Sequence, residues 1–167
     1  RCGCLADAAH DALAGDAAFT NGISFEALNN IAAQTRRMII VLNDNAWSID
    51  KNVGAIAEYF HKIVTNPTIS SLHGRAAELV ERFGGKTVAH IARKAEEAAK
   101  GLIGPGMLFE EFGLSYFGPI DGHNLPLLIE TFKFLKTQNK PVVLHAITQK
   151  GRGFQPALEK QKKFHGL

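Results

Sequence analysis

The chain has 167 residues, 46% of them hydrophobic and 21% charged, with 19 Lys and Arg against 16 Asp and Glu. That length suggests one domain, and the composition is that of a soluble globular chain able to bury most of the surface it exposes when unfolded. A net charge of +3 is too mild to imply a nucleic-acid partner, and no apolar run approaches the roughly 18 residues of a membrane span. No signal peptide is visible. Cys2 and Cys4 lack the second ligand pair of a zinc site and sit too close together for a disulfide framework, so a reducing, cytoplasmic setting is expected. The basic run Lys160-Gln161-Lys162-Lys163 reads as a solvated tail. The first residue is Arg rather than Met, which favours a piece of a longer chain.

In chain order, the Ala-rich stretch 5–14 predicts a helix on propensity. A second helix is expected over 22–34, with Phe25, Leu28, Ile23, Ala27 and Ile31 as its apolar face and Thr20 or Asn21 as its cap. Residues 38–42, Met-Ile-Ile-Val-Leu, read as a buried strand. Helices follow over 54–65, 70–83 and 87–100, the last two split by Gly84-Gly85, so that 68–104 reads as a helical insertion. A short helix over 107–113 precedes a short strand over 115–118. Asp121-Gly122-His123-Asn124 forms a turn, with Asn124 capping a helix over 125–137. The stripe Leu125, Leu128, Ile129, Phe132, Leu135 is its expected buried face. A strand over 142–148 leads into the basic, glycine-broken loop at Lys150.

Strands separated by helices imply an α/β fold with a mainly parallel sheet flanked by helices. In such sheets ligands bind beyond the carboxyl ends of the strands. The turn Asn43-Asp44-Asn45, the turn at Asp121 and the loop at Lys150 each follow an expected strand, so all three belong to that edge.

Upstream, Gly15-Asp16-Ala17-Ala18 points to the same place. Asp16 and Asn45 lie 29 positions apart, the span of one strand–helix–strand crossover. A carboxylate and an amide oxygen are hard ligands of the kind magnesium accepts, with phosphate oxygens completing its shell. The helix opening after Thr20 offers backbone N–H groups to a phosphate, and the small Ala17 and Ala18 let it approach. Each turn taken alone is ordinary strand-end chemistry; their pairing across a crossover is what points to a site. His145, inside a strand, is expected to be a hydrogen-bonded core histidine. Asp121 is expected to satisfy turn N–H groups, with His123 packed beside the helix start.

With these residues in hand, the chain resembles the thiamin-diphosphate-dependent enzymes, whose pattern is Gly-Asp-Gly followed by an Asn-Asp-Asn turn. Within them it resembles the 1-deoxy-D-xylulose-5-phosphate synthases. The resemblance is carried in order by Val41-Leu42-Asn43-Asp44-Asn45, Ser48-Ile49-Asp50-Lys51-Asn52-Val53-Gly54, Leu108-Phe109-Glu110-Glu111-Phe112-Gly113, Tyr116-Phe117-Gly118-Pro119-Ile120-Asp121-Gly122-His123, Lys150-Gly151-Arg152-Gly153-Phe154 and Lys163-Phe164-His165-Gly166. It implies a transferase of transketolase type that uses thiamin diphosphate and magnesium. Pyruvate and glyceraldehyde 3-phosphate would be joined to 1-deoxy-D-xylulose 5-phosphate with loss of carbon dioxide. By the same resemblance Asp16, the side chain of Asn45 and the backbone carbonyl of Trp47 hold magnesium, and Ala17 and Ala18 line the diphosphate. Phe154 takes the position of a cofactor-contacting aromatic, and His165 that of an active-site histidine.

The chain departs from the family pattern in three places. Ala17 replaces a Gly, Phe154 replaces the more usual Tyr, and Ala9-His10-Asp11-Ala12-Leu13-Ala14 stands where an apolar strand is expected. The family's upstream Gly-His-Ser type motif and its pyrimidine-binding and C-terminal domains are not found in 1–167. The whole stretch therefore reads as one partial diphosphate-binding domain, expected to have little or no activity alone, of an enzyme that is a homodimer at full length. The alternative is a non-catalytic binding module or a split subunit that needs a partner chain.

Overall fold

The computed structural model describes residues 10–45, 54–65 and 106–164; the expected insertion at 68–104, Cys2, Cys4, Trp47 and His165 lie outside them. The described elements are β1 (His10–Gly15), a 3-10 turn (Asp16–Thr20), α1 (Gly22–Gln34), β2 (Met38–Asp44), α2 (Ala55–Thr65), α3 (Met107–Glu111), β3 (Ser115–Asp121), α4 (Leu125–Leu135), β4 (Val142–Ile147), α5 (Gln155–Glu159) and a closing 3-10 turn (Gln161–Phe164). The four strands form one sheet in the order β1-β2-β4-β3, every neighbouring pair parallel. This is the expected α/β architecture.

Alternation along the central strands sorts side chains onto the two faces of the sheet. Ile40 and Leu42 of β2 and Val143 of β4 join Phe19, Leu28, Phe60, Ile63, Phe109 and Leu114 in one core, beneath α1, α2 and α3. Ile39 of β2 and Val142, Leu144 and Ala146 of β4 join Ile120 with Leu127 and Leu135 of α4 in the other. Both faces of β4 are therefore covered, which is why its sequence is a continuous apolar run interrupted by one histidine.

Three expectations are corrected. Residues 10–15 form a strand rather than a continuation of an Ala-rich helix: His10 to Gly15 pair in register with Met38 to Asn43. Its burial alternates, half-buried then exposed, as a strand lining one border of the described sheet should. Ladder hydrogen bonds to β2 outweigh the few tenths of a kcal/mol by which alanine favours helix at each residue.

The strand expected to stop at Gly118 runs on to Asp121 through an irregularity between Phe117 and Ile120. Gly118 adopts a φ of 127°, and a Cβ there would lie 2.6 Å from the His145 carbonyl oxygen. Only glycine lets β3 pass so close to β4, and Pro119 then falls where the ladder is already broken.

The buried face of α4 is Leu127, Thr131 and Leu135, flanked by the half-buried Leu128 and Phe132; Leu125 and Ile129 are exposed. Likewise α1 buries Leu28 and half-buries Phe25 and Ile31, leaving Ile23 and Ala27 outside. In both helices periodicity found the face but placed its centre about one residue off.

Candidate functional site

Parallel strands deliver their carboxyl ends to one edge, and the candidate residues gather there. Gly15 and Asn43 are paired across β1 and β2, neighbouring strands that run about 4.8 Å apart. Asp16 follows Gly15 immediately, and Asn45 follows Asp44, the last residue of β2. The crossover through α1 thus brings the two expected ligands to adjacent strand ends.

Asp16 opens the 3-10 turn and is buried, while Ala17 and Ala18 beside it are half-buried. The turn is held from both sides. Thr20 Oγ1 donates to the Ala17 carbonyl at 2.7 Å, and Ser24 Oγ donates to the Ala18 carbonyl at 2.6 Å. Asn21 caps α1 by accepting from the Ser24 N–H at 3.2 Å. Ala17 sits in helical 3-10 backbone, a conformation open to any L-residue, so its methyl imposes no backbone strain where the family pattern has Gly. Among the described residues a Cβ built on Gly15, on the exposed side of β1, would meet nothing within 4 Å.

Asn43 and Asp44, which end β2, have separate partners. Asn43 Oδ1 accepts from Thr148 Oγ1 at 2.7 Å, and the Thr148 N–H donates to the Asp44 carbonyl at 2.8 Å. These bonds tie the end of β2 to the chain leaving β4. Asp44 turns its carboxylate inward, where its Oδ2 lies 2.9 Å from His145 Nε2. His145 is fully buried, and its Nδ1 is 2.7 Å from the Tyr116 hydroxyl. Asn45, half-buried, stands at the rim.

Burial of the Tyr116 hydroxyl, reinforced by the nearby Tyr59 and Asp44, holds its pKa well above the usual phenol value. It is therefore an O–H at any ordinary pH. The hydrogen-bond logic then assigns the protons: Tyr116 O–H donates to His145 Nδ1, and His145 Nε2–H donates to Asp44. This arrangement leaves none of the three groups unsatisfied.

The other two loops reach the same edge. Asp121 Oδ1 accepts from the His123 N–H at 2.8 Å, and His123 Nε2 accepts from the Gln149 N–H at 2.8 Å. His123 thus joins the loop after β3 to the loop after β4. Phe154 lies past β4, 54% exposed, with its ring set edge-on against Phe164 at 5.7 Å.

The structure therefore places Asp16 and Asn45 just past the ends of adjacent parallel strands, with Ala17 and Ala18 following Asp16 in its turn. Phe154 lies beyond the same edge, in ring contact with Phe164. Among the described residues no group of three or more His, Cys, Asp and Glu side chains converges; the expected magnesium set, one carboxylate, one amide and one backbone carbonyl, is of a different make-up. A cavity of about 590 Å³ lined by Thr35, Arg36, Arg37, Asn139 and Lys140 opens at the opposite, amino-terminal edge, away from all of these residues. No described helix is long and apolar enough to cross a membrane.

Sequence reasoning missed the Asp44–His145–Tyr116 chain as a unit. Its signal was present: one histidine inside an otherwise apolar strand requires buried partners, and the polar residues of the strands next to it are the candidates.

The family described as 1-deoxy-D-xylulose-5-phosphate synthase matches residues 6–148. The 1-deoxy-D-xylulose-5-phosphate synthase of Acidobacterium capsulatum is 74% identical over 156 residues, covering 93% of this chain and 25% of the relative. That of Methylacidiphilum infernorum is 67% identical over 156 residues with the same coverage. That of Methylobacillus flagellatus is 43% identical over 162 residues, again covering 93% and 25%. The chain spans about a quarter of the length of these relatives. With the family matched over most of its residues, the chain belongs to the 1-deoxy-D-xylulose-5-phosphate synthase family.

Proposed function

We propose that this chain supplies the magnesium- and diphosphate-holding part of a thiamin-diphosphate-dependent transferase. That enzyme would condense pyruvate with glyceraldehyde 3-phosphate to 1-deoxy-D-xylulose 5-phosphate and release carbon dioxide. The observation that supports it most is the meeting of Asp16 and Asn45 at adjacent parallel strand ends, in a chain of this family. The donor chemistry fits: a carboxylate and an amide oxygen suit a hard cation that also binds phosphate. The small side chains of Ala17 and Ala18 suit a bulky anion.

In this reading Asp16 and Asn45 hold magnesium together with the Trp47 carbonyl, and Ala17 and Ala18 flank the diphosphate. Phe154 packs against the cofactor, and His165 faces the substrate; both assignments rest on the resemblance. When bound, thiamin diphosphate supplies the electron sink that lets a two-carbon unit be taken from pyruvate. The chain's own part is to bind and orient. As the relatives are about four times as long, 1–167 is read as one partial diphosphate-binding domain. Turnover then belongs to the whole enzyme, a homodimer in this reading, or to this chain joined by a partner that completes the site.

Titration calorimetry with thiamin diphosphate, with and without magnesium, tests the reading on the native chain and on Asp16→Ala. Magnesium-dependent binding that Asp16→Ala weakens at least tenfold supports it. Binding indifferent to magnesium, or to Asp16→Ala in a chain that circular dichroism shows to be folded, would sink it.

A further inference from the structure

Asp44, His145 and Tyr116 come from three neighbouring strands, β2, β4 and β3, and their hydrogen bonds cross the sheet directly beneath the edge that carries the candidate site. None of the three is among the residues expected to hold a ligand, yet a fully buried histidine and a buried carboxylate are costly to retain in a core unless paired. The network has two outlets. Asp44 is covalently next to Asn45. The His145 ring meets Phe60 edge-on at 5.9 Å, and Phe60 meets Phe19 edge-on at 6.2 Å. Phe19 belongs to the turn that Asp16 opens.

We propose that Asp44, His145 and Tyr116 are positioning residues that hold Asn45 and the Asp16 turn in fixed relation to one another. What the two held residues bind rests on the reading above; that they are held does not. Outer-shell hydrogen bonds of this kind orient ligands without touching the ion, and losing them commonly weakens metal binding 10- to 100-fold. His145 acts through its Nε2–H on Asp44, and Tyr116 acts by fixing the tautomer that carries this proton.

The test compares His145→Asn with His145→Gln. Glutamine can reach to the position of Nε2 and keep a donor on Asp44; asparagine places its amide near Nδ1 and leaves Asp44 without that donor. Backbone NMR order parameters of Asp16 and Asn45 are read in each chain, and they need no ligand. The expected result is lower order at both residues in His145→Asn, with β2 and β4 unchanged, and recovery of most of it in His145→Gln. A purely structural role would lower stability in both variants and leave the two indistinguishable at Asp16 and Asn45; that result overturns the proposal, as does unchanged order in His145→Asn. If His145→Asn does not fold, Tyr116→Phe carries the test: a smaller loss of order at the same two residues supports positioning, and none overturns it.

Magnesium titration in the presence of thiamin diphosphate separates the two readings. Affinity about 10- to 100-fold weaker in His145→Asn and restored in His145→Gln supports both. Lost order with unchanged magnesium affinity supports positioning and removes Asn45 as a cation ligand.

Discussion

Asn43 accepts from Thr148, Asp44 from His145, and Asn45 stands at the rim, so three consecutive polar residues at one strand end divide between scaffold and site. The sequence singled out Asn45 of the triplet as a candidate ligand but did not show what Asn43 and Asp44 do. What Asn43 and Asp44 bond to depends on how the strand alternates and on what the next strand offers, and both are tertiary facts. His145 was legible as a core histidine because a lone imidazole in a strand buried on both faces must find partners; that those partners are Asp44 and Tyr116 was not, since they lie about 100 and about 30 positions away on strands whose order the sequence does not state. Thr131 was not legible at all. It is fully buried on α4, and among the described residues its hydroxyl has no hydrogen-bond partner. Valine has the same shape and branching without the polar atom. Thr131→Val is expected to raise stability by about 1 kcal/mol, because a buried unsatisfied hydroxyl carries a desolvation cost of roughly that size or more. A higher urea midpoint at unchanged slope checks it.

At the scale of elements, turn chemistry was the most readable layer. Asn21 and Asn124 both cap helices as expected, each accepting from the N–H three residues on. Asn124→Ala is expected to cost about 1 kcal/mol by orphaning the Leu127 N–H, seen as a lower urea midpoint, while the neighbouring Asn124 N–H to Asp121 bond survives because it is backbone only. Strand β1 was the least readable. Its composition favours helix, and only the family pattern placed a strand before Gly15. What makes it a strand is β2: a fully apolar edge in need of a parallel partner on the side away from β4. Propensity carries no information about such a partner. The bulge at Gly118 was hidden for a related reason. Gly-Pro looks like a strand end, and only the proximity of the His145 carbonyl explains why the strand continues.

At the scale of the whole molecule, a mainly parallel sheet flanked by helices was legible from the order of strands and helices, and the cores on its two faces follow from it. The aromatic wall formed by Phe19, Phe60, Phe109 and Tyr116 was not. It draws on the Asp16 turn, α2, α3 and β3, and its ring contacts fall at 5.6 to 6.3 Å. The wall sets how the molecule responds to alkali. The sequence contains two tyrosines, and burial is the main cause that raises the pKa of each, Tyr116 by far the more. The unfolded chain ionises both near pH 10. Folding therefore retains protons that the unfolded state gives up. The contribution to stability is complete below about pH 10 and is lost as pH rises through the higher folded values. Tyrosinate absorbance at alkaline pH is expected to appear together with the loss of circular dichroism in one transition. A separate earlier rise, with the fold intact, would show the rings to be less protected than this.

The strand order has a consequence in time. β2 lies between β1 and β4, and Ile39 pairs with Val142. During synthesis β1, α1 and β2 leave the ribosome as a unit, but the second edge of β2 finds its partner only after roughly 100 further residues, which at ~5–20 residues per second is on the order of ten seconds. Throughout that interval the most apolar stretch of the chain, Met38 to Leu42, presents open backbone donors and acceptors to anything that can pair with them. The centre of the sheet is thus its last part to close, and a nascent chain arrested before β4 is the form of this protein most in need of a chaperone.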